Sequence, residues 1–346
     1  MSHRYNVGVV GYGWAAGAHI EAINATAQGR VSAVYSSRPL DAAEVSAKHG
    51  YPIRVYGSLD AMLADPEIQV VDVTTFPSQH RHAAVAAAKA GKHIILEKPM
   101  ANSLAEVREI VGAAKAAGVR GCVCFEVRFA GQFLTTKALI DSGLLGDLHY
   151  AEVDYYHGIG PWYGQFRWNT TKVEGGSALL TAGCHALDAL LLVMGSEVES
   201  VTSFSTKSRS PIFESYEYDT SSVTLLHFKN GAVGKCAAIV DCLQPYYFHT
   251  HLVGSQGSLL DDKFHSQKLK TERGQWSKLA MKLADSGDVH DHPYQTQFQA
   301  FFDSLDAGVD MPLTSFAESL RSFEVIFAAD KSAAEGGRPV KLSEMR

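Results

Sequence analysis

The sequence predicts an α/β chain of two domains: a Rossmann doubly wound parallel sheet, then an α+β domain on a mostly antiparallel open sheet. Three observations carry this expectation. Short apolar strands alternate with helical segments up to about residue 125. A glycine loop, Gly11-Tyr12-Gly13-Trp14-Ala15-Ala16, stands between the first strand and the first helix. After Phe125 strands dominate. A chain of 346 residues also exceeds one ordinary core. The expected division is 1–124 for dinucleotide binding and 125–346 for substrate binding and oligomerisation.

In the first domain, residues 5–10, 31–36, 54–56, 70–74, 93–96 and 120–125 read as strands. The helices between them are expected at 15–25, 39–49, 58–64, 80–90 and 103–117. Ser103 followed by Glu106 is a capping box for the last of these. Alternation of this kind implies a parallel sheet covered on both faces. In the second domain, a helix at 133–142 ends at Gly143, and one apolar helix spans 178–194. Strands are expected at 149–156, 198–205, 221–228, 232–241 and 247–253, the later ones as an antiparallel meander. Helices at 293–306 and 315–334 finish the chain.

Composition narrows the function. The chain is 46% hydrophobic and 20% charged with net charge −6, which suits a soluble protein and argues against nucleic acid as a partner. The most apolar stretch, 177–195, contains His185 and Asp188 and reads as a buried helix, not a membrane span. No amino-terminal segment reads as a signal peptide. The five cysteines form no Cys-x-x-Cys pair, which suits packing thiols in a reducing cytoplasm. Cys184 is read as such a packing residue.

The glycine loop is the first piece of chemistry. Gly11 permits a tight turn, Gly13 lets main chain approach a pyrophosphate, and Ala16 permits close helix packing. Trp14 and Ala15 open the helix whose amino terminus would meet the phosphate. The second strand ends in Ser36-Ser37-Arg38, with no acid before Asp41. Two hydroxyls and a guanidinium suit the 2′-phosphate of NADP better than the ribose diol of NAD, so NADP is favoured over NAD. Glu97-Lys98-Pro99 follows an apolar strand, at the edge where open α/β sheets bind ligands. A lysine there is a candidate proton-transfer group facing a nicotinamide. His185 and Asp188 lie one turn apart on the apolar helix and can share a face. His249-Thr250-His251 and His290-Asp291-His292 lack the spacing of a zinc site, and no metal is expected.

Taken together these motifs resemble the glucose-fructose oxidoreductase/inositol dehydrogenase family (Gfo/Idh/MocA). The likeness rests on Gly11 to Ala16, on the pair Pro77 and His80, and on Ala90 to His93 leading into Glu97-Lys98-Pro99. It continues through Arg128-Phe129, Gly143 to Gly146, Gly175-Gly176, Gly183-Cys184-His185 with Asp188, and Gly254 to Leu259. The resemblance implies a nicotinamide-dependent dehydrogenase of a sugar, glycoside or cyclitol. It implies that Lys98 and His185 flank the hydroxyl being oxidised, and that the peptide before Pro99 is cis. It places Thr75, Pro77, His80, Glu97, Lys98 and Arg128 at the cofactor. The expected substrate contacts are Thr181, Asp188, Arg128, Tyr156, His157, Trp162, Arg167 and Trp168, since rings stack on sugar faces and polar groups bind hydroxyls.

One departure stands out. The family carries an Asp four positions before the histidine, where this chain has Thr181. Asp188, Glu126 and Asp154 are the nearest carboxylates by motif. A redox-assisted glycosidase without net cofactor turnover and a nucleotide-binding sensor are the alternative readings. The expected partner is a small carbohydrate or cyclitol. Thr and Val along 221–241 suggest an open sheet face and hence a homodimer or homotetramer.

Overall fold

The computed structural model describes residues 5–269, 272–284 and 292–345. By backbone packing the chain forms two compact units. The first comprises residues 1–126 and 293–320, the second residues 127–292 and 321–346. The sequence division at 124/125 assigns 293–320 to the second domain, whereas this stretch packs with the first unit.

The first unit begins with β1 (Tyr5–Val10), α1 (Trp14–Asn24), β2 (Gly29–Tyr35), α2 (Ala42–His49), β3 (Arg54–Tyr56) and α3 (Leu59–Leu63). It continues with β4 (Val70–Val73), α4 (Pro77–Lys89), β5 (His93–Leu96), α5 (Leu104–Ala117) and β6 (Gly121–Val123). All five strand pairs are parallel, in the order β3-β2-β1-β4-β5-β6. The order reverses between β1 and β4, so the ligand crevice of such a sheet opens outside their carboxyl ends. The strands read as near-continuous apolar runs because both faces are covered. Ser103 caps α5 as expected: its hydroxyl accepts the Glu106 N–H at 3.3 Å and donates to the Glu106 carboxylate at 3.0 Å.

The second unit contains α6 (Gly131–Asp141), β7 (Leu148–Tyr156), α7 (Phe166–Asn169), α8 (Lys172–Gly175) and α9 (Cys184–Met194). Then follow β8 (Val198–Thr206), β9 (Ser221–Phe228), β10 (Val233–Ile239), β11 (Tyr247–Gly254), β12 (Gly257–Leu260), β13 (Lys263–Ser266) and β14 (Ser277–Lys278). The chain returns to the first unit with α10 (Tyr294–Ala307). α11 (Phe316–Ala334) begins there and ends in the second, before β15 (Val340–Lys341). The sheet order is β14-β13-β12-β11-β7-β10-β9-β8-β15. The expected meander holds from β8 to β10 but breaks there: β7 lies between β10 and β11 and runs parallel to β10. The sheet is therefore mostly, not wholly, antiparallel.

The apolar helix is not uniform. Leu179–Gly183 forms a wide i→i+5 turn before α9 begins at Cys184. Such turns inside helices are common at functional sites. Its length and composition would permit a membrane span, yet 83% of its most apolar window is buried within the protein. Close packing explains the apolarity: a Cβ added at Gly183 would stand 2.2 Å from the Ala238 Cβ of β10.

Candidate active site

Gly11 leaves β1 with φ of +96°, and a Cβ there would come within 2.9 Å of the Thr74 carbonyl. The loop is thus pressed against the end of β4, at the reversal of strand order. Gly13 caps α1 without any side-chain hydrogen bond, and the first turn holds no acid. Space is open around it for a Cβ. An uncapped helix of this length leaves its first N–H groups aimed at the crevice and fits a pyrophosphate. Trp14 is exposed, Ala15 half-buried and Ala16 buried against the sheet.

The guanidinium of Arg38 reaches the same loop, donating to the Tyr12 carbonyl at 3.0 Å. Ser36 accepts the Arg38 N–H through its hydroxyl at 3.2 Å, and Ser37 is exposed. Asp41, the first acid after β2, is committed elsewhere: it caps α2 by accepting from Ala43 and Glu44. Lys48 lies over the Tyr12 ring, 5.2 Å from its centroid, a second cation at this loop that the sequence did not single out.

Beyond β4, Thr75 is half-buried and Pro77 opens α4. His80 is buried, with Nδ1 2.7 Å from the Pro99 carbonyl and Nε2 3.1 Å from that of Thr75. It ties together the loops after β4 and β5, while His82 is exposed. The Lys98–Pro99 peptide is cis, as the resemblance implied.

Glu97, expected at the cofactor, turns inward instead. Its Oε1 accepts from the Tyr294 hydroxyl at 2.8 Å and faces His19 Nε2 at 3.0 Å; its Oε2 accepts the Lys98 N–H at 2.8 Å. The other side of the His19 ring meets both oxygens of Asp72, at 3.0 and 3.1 Å. Burial would push His19 down, but the Asp72 charge and the bonds to Asp72 and Glu97 raise it to about 10. Burial would push Glu97 up, but His19, the Lys98 charge and Tyr294 hold it at about 2. Burial pushes Asp72 up against the pull of the imidazolium. Glu126, just after β6, is pushed up to about 8 by burial and by the Glu97 charge, against the pull of Lys98. Of the carboxylates considered near Lys98, Glu126 is thus within its electrostatic reach. Lys98 itself is half-buried among buried neighbours.

In the second unit, His185 is buried on the first turn of α9. Thr181 lies in the wide turn and donates its hydroxyl to Asn169 Oδ1 at 2.5 Å. Asn169, which no motif marked, also accepts the Tyr218 hydroxyl on its main-chain oxygen at 2.7 Å. Arg128 and Asp188, expected at the substrate, hold each other in a buried bidentate pair at 2.6 and 2.7 Å. Ser322 adds a third bond to Asp188 at 2.6 Å. Two opposite charges this deep neutralise each other because neither reaches water.

His157 is buried, with Nδ1 3.0 Å from the Tyr155 hydroxyl and its ring edge against Tyr163 and Tyr246. Tyr156 faces the other side of the sheet, stacked on Tyr247 and bonded to Asp154. Alternation along β7 requires this: Tyr155 shares the face covered by the apolar helix, so Tyr156 cannot join His185. Asp154 lies on that outer face too, bonded to Lys235 at 2.7 Å. Trp162 is exposed and donates to the Gly158 carbonyl; Arg167 is exposed and Trp168 half-buried on and beside α7.

Four of the five cysteines, Cys184 among them, are buried, and Cys242 is half-buried. Among the described residues, Glu152, His249 and His251 bring donor atoms within 4.8 Å of one another. Lys235 already meets Glu152 there at 2.6 Å, and Asp261 engages His249. His290 and Asp291 lie outside the described residues.

A doubly wound unit with an uncapped helix behind a glycine loop at the reversal of strand order fits a dinucleotide-binding domain. Residues 5–125 match the family described as "Oxidoreductase family, NAD-binding Rossmann fold", and residues 133–260 match the GFO/IDH/MocA C-terminal domain. The chain belongs to the GFO/IDH/MocA oxidoreductases. It is 26% identical over 340 residues to myo-inositol 2-dehydrogenase of Thermotoga maritima, covering 98% of this chain and 99% of that one. It is 27% identical over 352 residues to the NADP-dependent scyllo-inositol 2-dehydrogenase of Bacillus subtilis, covering 95% and 94%. An uncharacterised oxidoreductase of Synechocystis is 32% identical over 195 residues, 56% of this chain and 52% of that protein. A levoglucosan dehydrogenase, solved with NADH and L-sorbose, shares the fold with a TM-score of 0.84 at 22% identity over 99% of both chains.

Proposed function

We propose that this protein transfers a hydride between a nicotinamide cofactor and a hydroxyl-bearing carbon of a sugar, glycoside or cyclitol. Lys98 and His185 handle the hydroxyl proton. The observation that carries the reading is Lys98 beyond β5, its main chain held by a buried carboxylate, in a unit whose glycine loop fits a pyrophosphate. The nicotinamide ring, when bound, supplies the hydride acceptor or donor. The chain's own groups do the rest. The α1 amino terminus binds pyrophosphate, and Lys98 or His185 takes the proton as the carbonyl forms. Thr181, His157 and Trp168 supply hydroxyl, imidazole and ring contacts suited to a carbohydrate.

NADP is the favoured cofactor. Arg38 stands at the glycine loop with Lys48 beside it, and the nearest acid, Asp41, is spent on a helix cap. The outer face of the second sheet exposes Phe204, Val223, Leu225 and Val233, and self-association through that face is part of this reading.

The test is a panel of sugars, glycosides and inositols with NAD+ and NADP+ in parallel. The reading expects one reduced nicotinamide per substrate oxidised. Product without net reduced cofactor would replace it with a redox-assisted glycosidase. Arg38→Ala should weaken NADP binding by roughly 1.5–3 kcal/mol and NAD binding far less. Equal weakening of both would remove Arg38 from cofactor selection.

A further inference from the structure

We propose that the buried chain Asp72–His19–Glu97, closed by Tyr294, positions Lys98 for proton transfer by holding the Glu97 carboxylate against the Lys98 main chain. This rests on the reading that Lys98 moves the substrate proton, and it assigns a role to four residues outside that site.

Four elements converge on the chain: His19 comes from α1, Asp72 from β4, Glu97 from the end of β5 and Tyr294 from the start of α10. His19 and Asp72 are wholly buried. Each imidazole nitrogen faces a carboxylate at 3.0 Å. Carboxylates only accept, so both nitrogens must donate, and only the imidazolium does that. The positions of the ring proton on Nε2 and the Tyr294 hydroxyl fix Oε1 of Glu97. Oε2 is thereby turned to the Lys98 N–H. The Tyr294 ring stacks on Phe298 and lies 4.4 Å from the His19 ring, which limits rotation of the imidazole.

His19, Glu97 and Cys124 also bring donor atoms within 4.8 Å of one another. Both His19 nitrogens are directed at carboxylates at hydrogen-bond distance, which a proton satisfies and a metal at about 2 Å from each ligand does not. Stability alone is a poor reason for such a chain, because buried ion pairs are often matched by apolar packing. Orientation is a better one. The carboxylate adjoins Lys98 in sequence and grips its main chain, so a tilt of Glu97 moves the lysine directly. Reacting groups displaced by about 1 Å lose on the order of 10²-fold in rate.

The test uses the full-length protein with a substrate from the panel. Glu97→Gln and His19→Gln are expected to lower kcat by about 10–100-fold and to move both KM values by less than about threefold. In a Lys98→Ala background the same changes should alter the residual rate by less than about twofold, because no lysine remains to be placed. Tyr294→Phe keeps the ring stack, removes one donor, and should lower kcat by about 3–10-fold; it serves if the buried-charge variants do not fold. Independently, ¹⁵N-histidine NMR of the wild type should show one imidazolium persisting at about pH 9 that disappears in His19→Gln. Wild-type kcat in Tyr294→Phe and Glu97→Gln, with Lys98→Ala inactive, overturns the positioning role and leaves the proposed function standing. Full activity of Lys98→Ala overturns the proposed function itself. A His19 ring that is neutral at pH 8 overturns the chain whatever the activities.

Discussion

The two units bury charge in different ways. In the second, Arg128 and Asp188 form a buried bidentate pair, and the Ser322 hydroxyl donates a third bond to Asp188. In the first, one imidazole stands between two carboxylates, and one of these carboxylates accepts the main-chain N–H of Lys98. The bidentate pair joins the turn after β6, α9 and α11. The open chain carries its orientation outward to Lys98. The difference teaches where to look for function: in a buried network that transmits, not in one that only neutralises.

The largest expected effect is on stability as pH rises, and it belongs to the first unit. His19, raised from 6.5 to about 10, contributes in full below pH 6.5 and loses that contribution as the pH climbs through about 10. Glu126, raised from 4.5 to about 8, favours the native state when protonated, so its contribution fades between those values. Glu97, held at about 2 from 4.5, acts in the opposite sense: its contribution is present above pH 4.5 and lost as the pH falls towards 2. Stability should therefore be highest near pH 4.5 and decline towards 10, first through Glu126 and above pH 6.5 through His19 as well. Glu126→Gln should flatten the decline between about pH 4.5 and 8 in urea titrations. A guanidinium keeps its charge throughout, so the Arg128–Asp188 pair adds no alkaline slope. A wild-type profile flat from pH 6 to 10 would erase the contrast between the networks.

Breaking the bidentate pair comes next. Asp188→Ala leaves Arg128 charged and buried and should destabilise the protein by about 3–5 kcal/mol, with substrate KM little changed in the molecules that remain folded. A normal urea midpoint with a raised KM would return Asp188 to the substrate. Smaller still, Thr181→Val removes the donor to buried Asn169 and should lower stability by about 1–3 kcal/mol. An unchanged urea midpoint would mean that the Thr181–Asn169 bond does not hold the wide turn in place.

Much of this was legible in the sequence where the cause is local. The glycine loop, the Ser103–Glu106 cap and the βα alternation depend on residues a few positions apart. The acid-free end of β2 is equally local, and Arg38 reaches the loop that its position suggested. What escaped is non-local. Tyr294 meets Glu97 from 197 positions away, and no period or motif links them. The return of α10 to the first unit is a matter of packing, as is the insertion of β7 between β10 and β11. Alternation shows that Tyr155 and Tyr156 face opposite ways, but not which of them the apolar helix covers. The pairing of Arg128 with Asp188 was hidden for the same reason: each residue alone looks like a substrate contact.

The most direct test of the account is a single turnover in wild type and Lys98→Ala, both preloaded with oxidised cofactor and mixed with saturating substrate. Lys98→Ala should bind cofactor with near wild-type affinity and form reduced nicotinamide about 10²–10⁴-fold more slowly, the usual worth of a positioned acid–base group. Reduced nicotinamide appearing at the wild-type rate in Lys98→Ala would contradict the account.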